Sequence, residues 1–184
     1  MSSYCNCNNY LDWCFKLCEE DNKKCPSGNC CCKDAVRDAL SKIQLMPTNT
    51  VTVYDFNQSV TGNEVGEFIG NSNDVVNIGG EYISLCNIIY IDFKLDGDAE
   101  PPSVDCTTPG CCCNVDMETA LQQLIGTPPN NNQLEILTVR NDNKYFRSDK
   151  IYGICNGVLW IHEQNGNVFQ AIPLCSIFSA RIAK

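Results

Sequence analysis

Two short stretches constrain this chain more than anything else in it: CPSGNCCCKD, from Cys25 to Asp34, and CTTPGCCCNVD, from Cys106 to Asp116. In each, three adjacent cysteines follow a single cysteine placed five residues before the first of them. A feature this rare, met twice, asks whether the rest of the chain repeats as well. Setting Cys30, Cys31 and Cys32 on Cys111, Cys112 and Cys113 fixes an offset of 81, which also lays Ala39-Leu40 on Ala120-Leu121 and Ile43 on Leu124. Further along, NDVVNI (Asn73 to Ile78) falls on NGVLWI (Asn156 to Ile161) at offset 83, and LCNI (Leu85 to Ile88) on LCSI (Leu174 to Ile177) at offset 89. The offset grows where the second copy has a longer turn, HEQNGN against Gly79-Gly80. Offsets that grow only at turns are what a duplicated fold leaves behind.

Within each copy the hydrophobic period changes once. After the first triplet, Ala35, Val36, Ala39, Leu40 and Ile43 share one helical face. Asp34 and Asp116 lie near the two helix starts, where a carboxylate can cap. Alternation with period two then takes over in TVTVYDF (Thr50 to Phe56) and LEILTV (Leu134 to Val139), followed by short strands and turn signals at Gly79-Gly80, Asn156-Gly157 and Asn165-Gly166. Strands are expected at 51–56, 64–70, 75–78, 81–85 and 88–93, and again at 134–140, 144–152, 158–162, 168–173 and 177–182. The expected class is mainly β with short helices: a tandem duplication of a helix plus a five-stranded small antiparallel barrel, preceded by a cysteine-rich helical N-terminal arm. The divisions are an arm at 1–24, a first repeat at 25–95, a linker at 96–105 stiffened by Pro101-Pro102, and a second repeat at 106–184. The two barrels are expected to form a two-lobed brick, with strand edges left open wherever a barrel closes imperfectly.

The segment LQQLIG (Leu121 to Gly126), leading into Gln133 to Ile182, resembles the small Sm-like barrel repeats of spore coat proteins of endospore-forming bacteria, the coat protein B type. In that pattern a helix ending L-x-G precedes a strand, a charged turn, a G-x-L strand, a hairpin and a closing I-P-x-x-x-I. Ile172-Pro173 and Ile177 match the close, whereas the first copy has Ile83-Ser84 in place of Ile-Pro. The cysteine blocks lie outside that pattern. Their composition is similar to the cysteine-rich, self-assembling coat and exosporium proteins of the same bacteria, which implies a structural role.

Fifteen cysteines in 184 residues give a density near that of disulfide scaffolds and metal-rich proteins. Adjacent cysteines rarely satisfy disulfide geometry with each other, so the members of each triplet are expected to reach different partners, as crosslink nodes. The plain alternative is three buried thiols at a helix start. A second alternative is a metal cluster built from Cys25, Cys30, Cys31 and Cys32 with Cys106, Cys111, Cys112 and Cys113. Structural zinc, however, usually uses CxxC pairs or adds histidine, and this chain has no CxxC and one histidine, His162. Cys5, Cys7, Cys14 and Cys18, on the arm, are candidates for bonds between molecules. Cys86 and Cys175 hold equivalent places before the last strand of each copy, as buried thiols or as links to their own helix block. Cys155 reads as an idle strand thiol. Fifteen is odd, so a monomer cannot pair every cysteine within itself.

No phosphate loop, HExxH or G-x-S-x-G occurs, and His162 has no neighbouring Asp or Ser in a catalytic pattern, so no enzyme and no cofactor are expected. A formal charge of −9 argues against nucleic acid or anionic membrane as partner. No apolar run approaches the length of a membrane span. The opening MSSYCNCNNYLDW has no basic start and no apolar core of a signal peptide, so synthesis in a cytoplasm followed by oxidation at a spore or cell surface is expected. The reading is a self-assembling structural protein that forms a disulfide-crosslinked layer, fibre or array. Its partners are itself and other cysteine-rich coat proteins. The rivals are a metal-binding cysteine cluster and a monomeric, disulfide-stabilised binding module.

Overall fold

The computed structural model describes residues 31–70, 73–97, 115–126, 133–140, 145–163 and 168–183, the side chains of Cys31, Cys32, Val115 and Asp116 excepted. The first half begins with helix α1 (Cys31–Gln44) and continues with β1 (Thr48–Tyr54), β2 (Ser59–Gly62), β3 (Val65–Ile69), β4 (Val75–Ile78) and β5 (Glu81–Ser84). A 3-10 turn (Leu85–Asn87) then leads to β6 (Tyr90–Leu95). The second half runs α2 (Val115–Gly126), β7 (Leu134–Thr138), β8 (Tyr145–Cys155), β9 (Val158–Glu163) and β10 (Val168–Pro173). Its own 3-10 turn (Leu174–Ser176) precedes β11 (Ile177–Ile182). The protein is mainly β, and every strand pairing is antiparallel.

Helix α1 forms where the 3.6 period was strongest. Ala35, Val36, Ala39, Leu40 and Ile43, the stripe read from sequence, are all buried. The helix starts at Cys31, so Asp34 lies inside its first turn and bonds the Arg37 guanidinium at 2.8 Å. Lys33, almost wholly buried, pairs with Asp74 at 2.6 Å, and Arg37 adds a 3.0 Å contact to the same carboxylate. A buried ammonium is tolerable only with such a partner. These contacts tie the first turn of α1 to the Asn73-Asp74 corner before β4.

Strand β8 serves two neighbours, whereas in the first half the comparable pairings fall to two separate strands. In the second half β8 stays continuous. Its first residues pair with β7 and the rest with β9, and register shifts at Ser148/Lys150 and Ile151/Gly153 make the turn. In the first half β2 pairs with β1, and β3 with β4. The sequence reading placed one strand at 64–70 and missed β2. Glycine is required here. A Cβ on Gly62 would lie 2.5 Å from the backbone nitrogen of Gly79, and one on Gly79, at φ 60°, would lie 2.4 Å from the carbonyl oxygen of Thr61.

Corresponding details recur in the two halves. Asn73 and Asn156 are the described non-glycine residues with positive φ, at 51° and 50°. Leu85 N–H donates to Asp74 at 2.9 Å, and Leu174 N–H to Gly157 at 2.8 Å. The halves do not stand as separate lobes, however. Strand β6 of the first half pairs with β10 of the second, which gives one eight-stranded sheet in the order β11-β7-β8-β9-β10-β6-β1-β2 beside a three-stranded sheet β3-β4-β5.

Both hydrophobic cores cross that seam. The core under α1 includes Cys155, Val158, Trp160 and Ala171 from the second half. The other core, built on Leu134, Ile136 and Phe146, takes in Ile89 and Tyr90 from the first. Trp160→Ala should therefore cost about 3–5 kcal/mol, as expected for emptying a large core site. It should lower the stability of both halves in one cooperative transition, read as a single shift of the denaturant midpoint by tryptophan-independent probes such as far-UV circular dichroism.

Candidate functional site

The seam between β6 and β10 is short and chemically dense. Its register pairs Phe93 with Phe169, Asp92 with Gln170 and Ile91 with Ala171. On one face the Phe93 and Phe169 rings stack with centroids 5.5 Å apart, and Trp160 meets Phe93 edge-on at 6.0 Å. On the other, the buried Gln170 amide donates to the Asp92 carboxylate at 2.9 Å. Beside that bond lies an aromatic stack, Tyr54 on Tyr90 at 4.2 Å. The Arg140 guanidinium sits 4.7 Å over the Tyr54 ring and donates to the Tyr90 hydroxyl at 2.9 Å. Burial, helped by Asp92, pushes the Tyr54 phenol up to about 12. Burial also pushes the Tyr90 phenol up, against the pull of the Arg140 hydrogen bond.

Both phenols are thus held neutral in the fold, and the sign of the linkage follows. Their stabilising contribution is complete below the ordinary phenol value of about 10 and is lost as pH rises from there through the folded-state values. Alkaline titration followed by phenolate absorbance should show Tyr54 and Tyr90 ionising last, together with unfolding. Tyr54→Phe should move the alkaline unfolding midpoint to higher pH.

Of the cysteines singled out from sequence, Cys5, Cys7, Cys14, Cys18, Cys25, Cys30, Cys106, Cys111, Cys112 and Cys113 lie outside the described residues. Cys31 and Cys32 open α1, their side chains likewise outside description. Cys86 and Cys175 occupy the two 3-10 turns, before β6 and β11. Cys175 is disulfide-bonded, and its bonding partner is not among the described side chains. Cys155 ends β8, 2% exposed, with the Lys42 ammonium 3.7 Å from its sulfur. That ammonium also holds Asp38 at 2.7 Å, and Asp38 in turn accepts from the Asn156 side chain at 3.1 Å. Burial lowers the Lys42 pKa, but Asp38 and the thiol outweigh it and leave a net rise. The thiol read as idle is therefore a packed member of the shared core.

Two further groups were not visible in the chain. His162 does have an acidic partner: its Nδ1 lies 2.7 Å from Asp149 on the neighbouring strand, with the ring against Phe169. The adjacent Ser148 hydroxyl accepts the Leu134 N–H at 3.0 Å, a structural bond across β7 and β8. Among the described residues, no three of His, Cys, Asp and Glu converge as metal ligands, and no helix is long and apolar enough to cross a membrane.

The other conspicuous surface features lie on strand edges. Tyr82 on β5 is 65% exposed and Phe178 on β11 is 66% exposed. Both strands end their sheets: β5 is bonded only to β4, and β11 only to β7, among the described residues. Comparison with known proteins found no matching family model, no matching curated protein and no matching solved structure.

Proposed function

We propose that this chain is a structural, self-assembling protein: a tandem duplication of a helix and a five-stranded small barrel, whose copies join into a layer, fibre or crystal-like array that disulfides then fix. One observation carries the reading. A rare cysteine triplet precedes or opens the helix of each half, in a fold whose halves already associate strand to strand. The same order of elements in both halves, the matching positive-φ asparagines and the two matching 3-10 turns support the duplication.

Two nodes give each copy two separate places to be bonded, enough for an extended array. The likeness to cysteine-rich coat and exosporium proteins gives the array a setting, the surface of an endospore, with those proteins as further partners. Synthesis in a reducing compartment keeps the copies free of covalent links, and later oxidation locks them. A covalent loop of tens of residues adds roughly 3–4 kcal/mol per disulfide in the chain-entropy model. Bonds between copies do more, because a copy bonded to its neighbours stays in place even when locally unfolded.

The purified protein, oxidised and run without reductant, should give a ladder of multimers, and negative-stain images should show extended assemblies. Cys5→Ser combined with Cys7→Ser should shorten that ladder. Denaturant without reductant yielding clean monomers would refute the reading in favour of a monomeric, internally bonded module. Stoichiometric zinc in elemental analysis would favour the metal-cluster alternative.

A further inference from the structure

The seam between the halves is a half-to-half interface, and the molecule carries one unused copy of each side of it. The LCNI and LCSI correspondence places β5 where β10 stands in the other half, and β6 where β11 stands. Inside the molecule β10 pairs with β6. Among the described residues this leaves β5, the counterpart of β10, and β11, the counterpart of β6, as open strands.

The backbone groups of both open strands face the right way. Ala183 N–H donates to Gln133 O, so alternation along an antiparallel ladder turns Arg181 and Ser179 toward β7 and the N–H and C=O of Ala180 and Ile182 outward. On β5, Leu85 N–H donates to Asp74 O, so Ile83 and Glu81 face β4 and the groups of Tyr82 point outward. The same parity holds at the seam. Leu174 N–H donates to Gly157 O, so Ala171 and Phe169 turn their groups toward β6.

The side chains agree with the backbone. Carried over by the correspondence, the seam pair Ile91 and Ala171 becomes Ala180 and Tyr82, and Phe93 and Phe169 becomes Ile182 and Gly80. The bonded pair Asp92 and Gln170 becomes Arg181 and Glu81, a cation facing an anion, with the Arg181 Nε–H also donating to Glu135 on β7 at 2.7 Å. Exposure completes the pattern. Ile89 is 3% exposed because the second half covers it, whereas its counterpart Phe178, with no further half beyond it, is 66% exposed. Ala171 is fully buried against β6, whereas its counterpart Tyr82 is 65% exposed.

We infer that β11 of one copy pairs antiparallel with β5 of a second copy, in the register Ala180 to Tyr82, Arg181 to Glu81 and Ile182 to Gly80, so that copies join head to tail through the interface that already joins the halves. This rests on the self-assembly reading and supplies its non-covalent step. The contact is heterologous: each copy offers one β5 and one β11, so addition continues into a ring or a filament rather than stopping at a dimer. Three ladder pairs make a reversible joint, which can correct its register before cysteines close over it.

The test uses the full chain in reductant, so that no disulfide joins copies, with sedimentation velocity over a concentration series. Wild type should form head-to-tail oligomers. Glu81→Arg, which sets two cations opposite each other at an exposed site, should weaken association by at least about tenfold. Tyr82→Pro should do the same, because it removes an outward N–H and leaves the ladder to β4 intact. Ser84→Pro is the control. Pro173 holds the corresponding place beside the seam, and Ser84 already has φ −70°, so association should persist. Arg181→Glu protein, confirmed folded by its melting curve, should associate poorly alone but recover when mixed with Glu81→Arg protein, since every joint in the mixture again pairs opposite charges.

Glu81→Arg and Tyr82→Pro proteins that associate like wild type would overturn this interface while leaving self-assembly standing. Wild type that stays monomeric in reductant yet ladders on oxidation would also overturn it, and leave the crosslinking reading intact. Monomers under both conditions would end both.

Discussion

Everything else in the structure depends on the pairing of β6 with β10. Three residues on each strand carry it, yet it turns two short runs of strands into one eight-stranded sheet and lets each core draw on both halves. Units the size of either half sit near the lower limit of what a single apolar core can stabilise. Sharing Trp160 and Ala171 in one direction and Ile89 and Tyr90 in the other is the physical answer to that limit. The cost appears in the orphaned polar atoms of the shared region. Gln170 Oε1 and Trp160 Nε1 are both buried without a hydrogen-bond partner among the described residues.

What could be read from the chain was what depends on near neighbours. The stripe Ala35, Val36, Ala39, Leu40 and Ile43 announced α1 through its period, and Asn156-Gly157 and Gly79-Gly80 announced hairpins through the positive φ such turns require. Four of the five strands expected in the second half fall within a residue or two of their observed limits, β8 being longer than expected because it bends instead of ending. What could not be read depends on residues far apart. Nothing local to His162 points to Asp149, because the two meet only through the register of β8 and β9. Nothing near Tyr54 signals its stack with Tyr90 under Arg140, which needs β1, β6 and the end of β7 together. The break between β2 and β3 was hidden for a related reason, since the close approach of Gly62 to Gly79 is a tertiary demand on residues that look like ordinary turn glycines.

The first cysteine triplet gains a physical setting from the residues after it. Lys33 and Arg37 fasten the first turn of α1 to Asp74, and the stripe behind them is wholly packed. The backbone of Cys31 and Cys32 is therefore carried on a fixed element. A covalent link made from a fixed element transmits orientation as well as connection, which suits the proposed array, whose neighbours would have to keep one register.

The shared cores also set the order in which the molecule can be made. Asp38 of α1 reaches Asn156, and Lys42 reaches Cys155 across 113 residues of chain, so the first core cannot close until most of the second half exists. Contacts of such long sequence separation form slowly. During synthesis the first half therefore waits with its apolar face and its cysteines uncovered, in the state where non-native collapse and stray bonding are most frequent. If its cysteines crosslink copies as proposed, such a chain has to keep its thiols reduced for as long as folding takes. Oxidation then becomes an event of timing, productive only after β10 has reached β6.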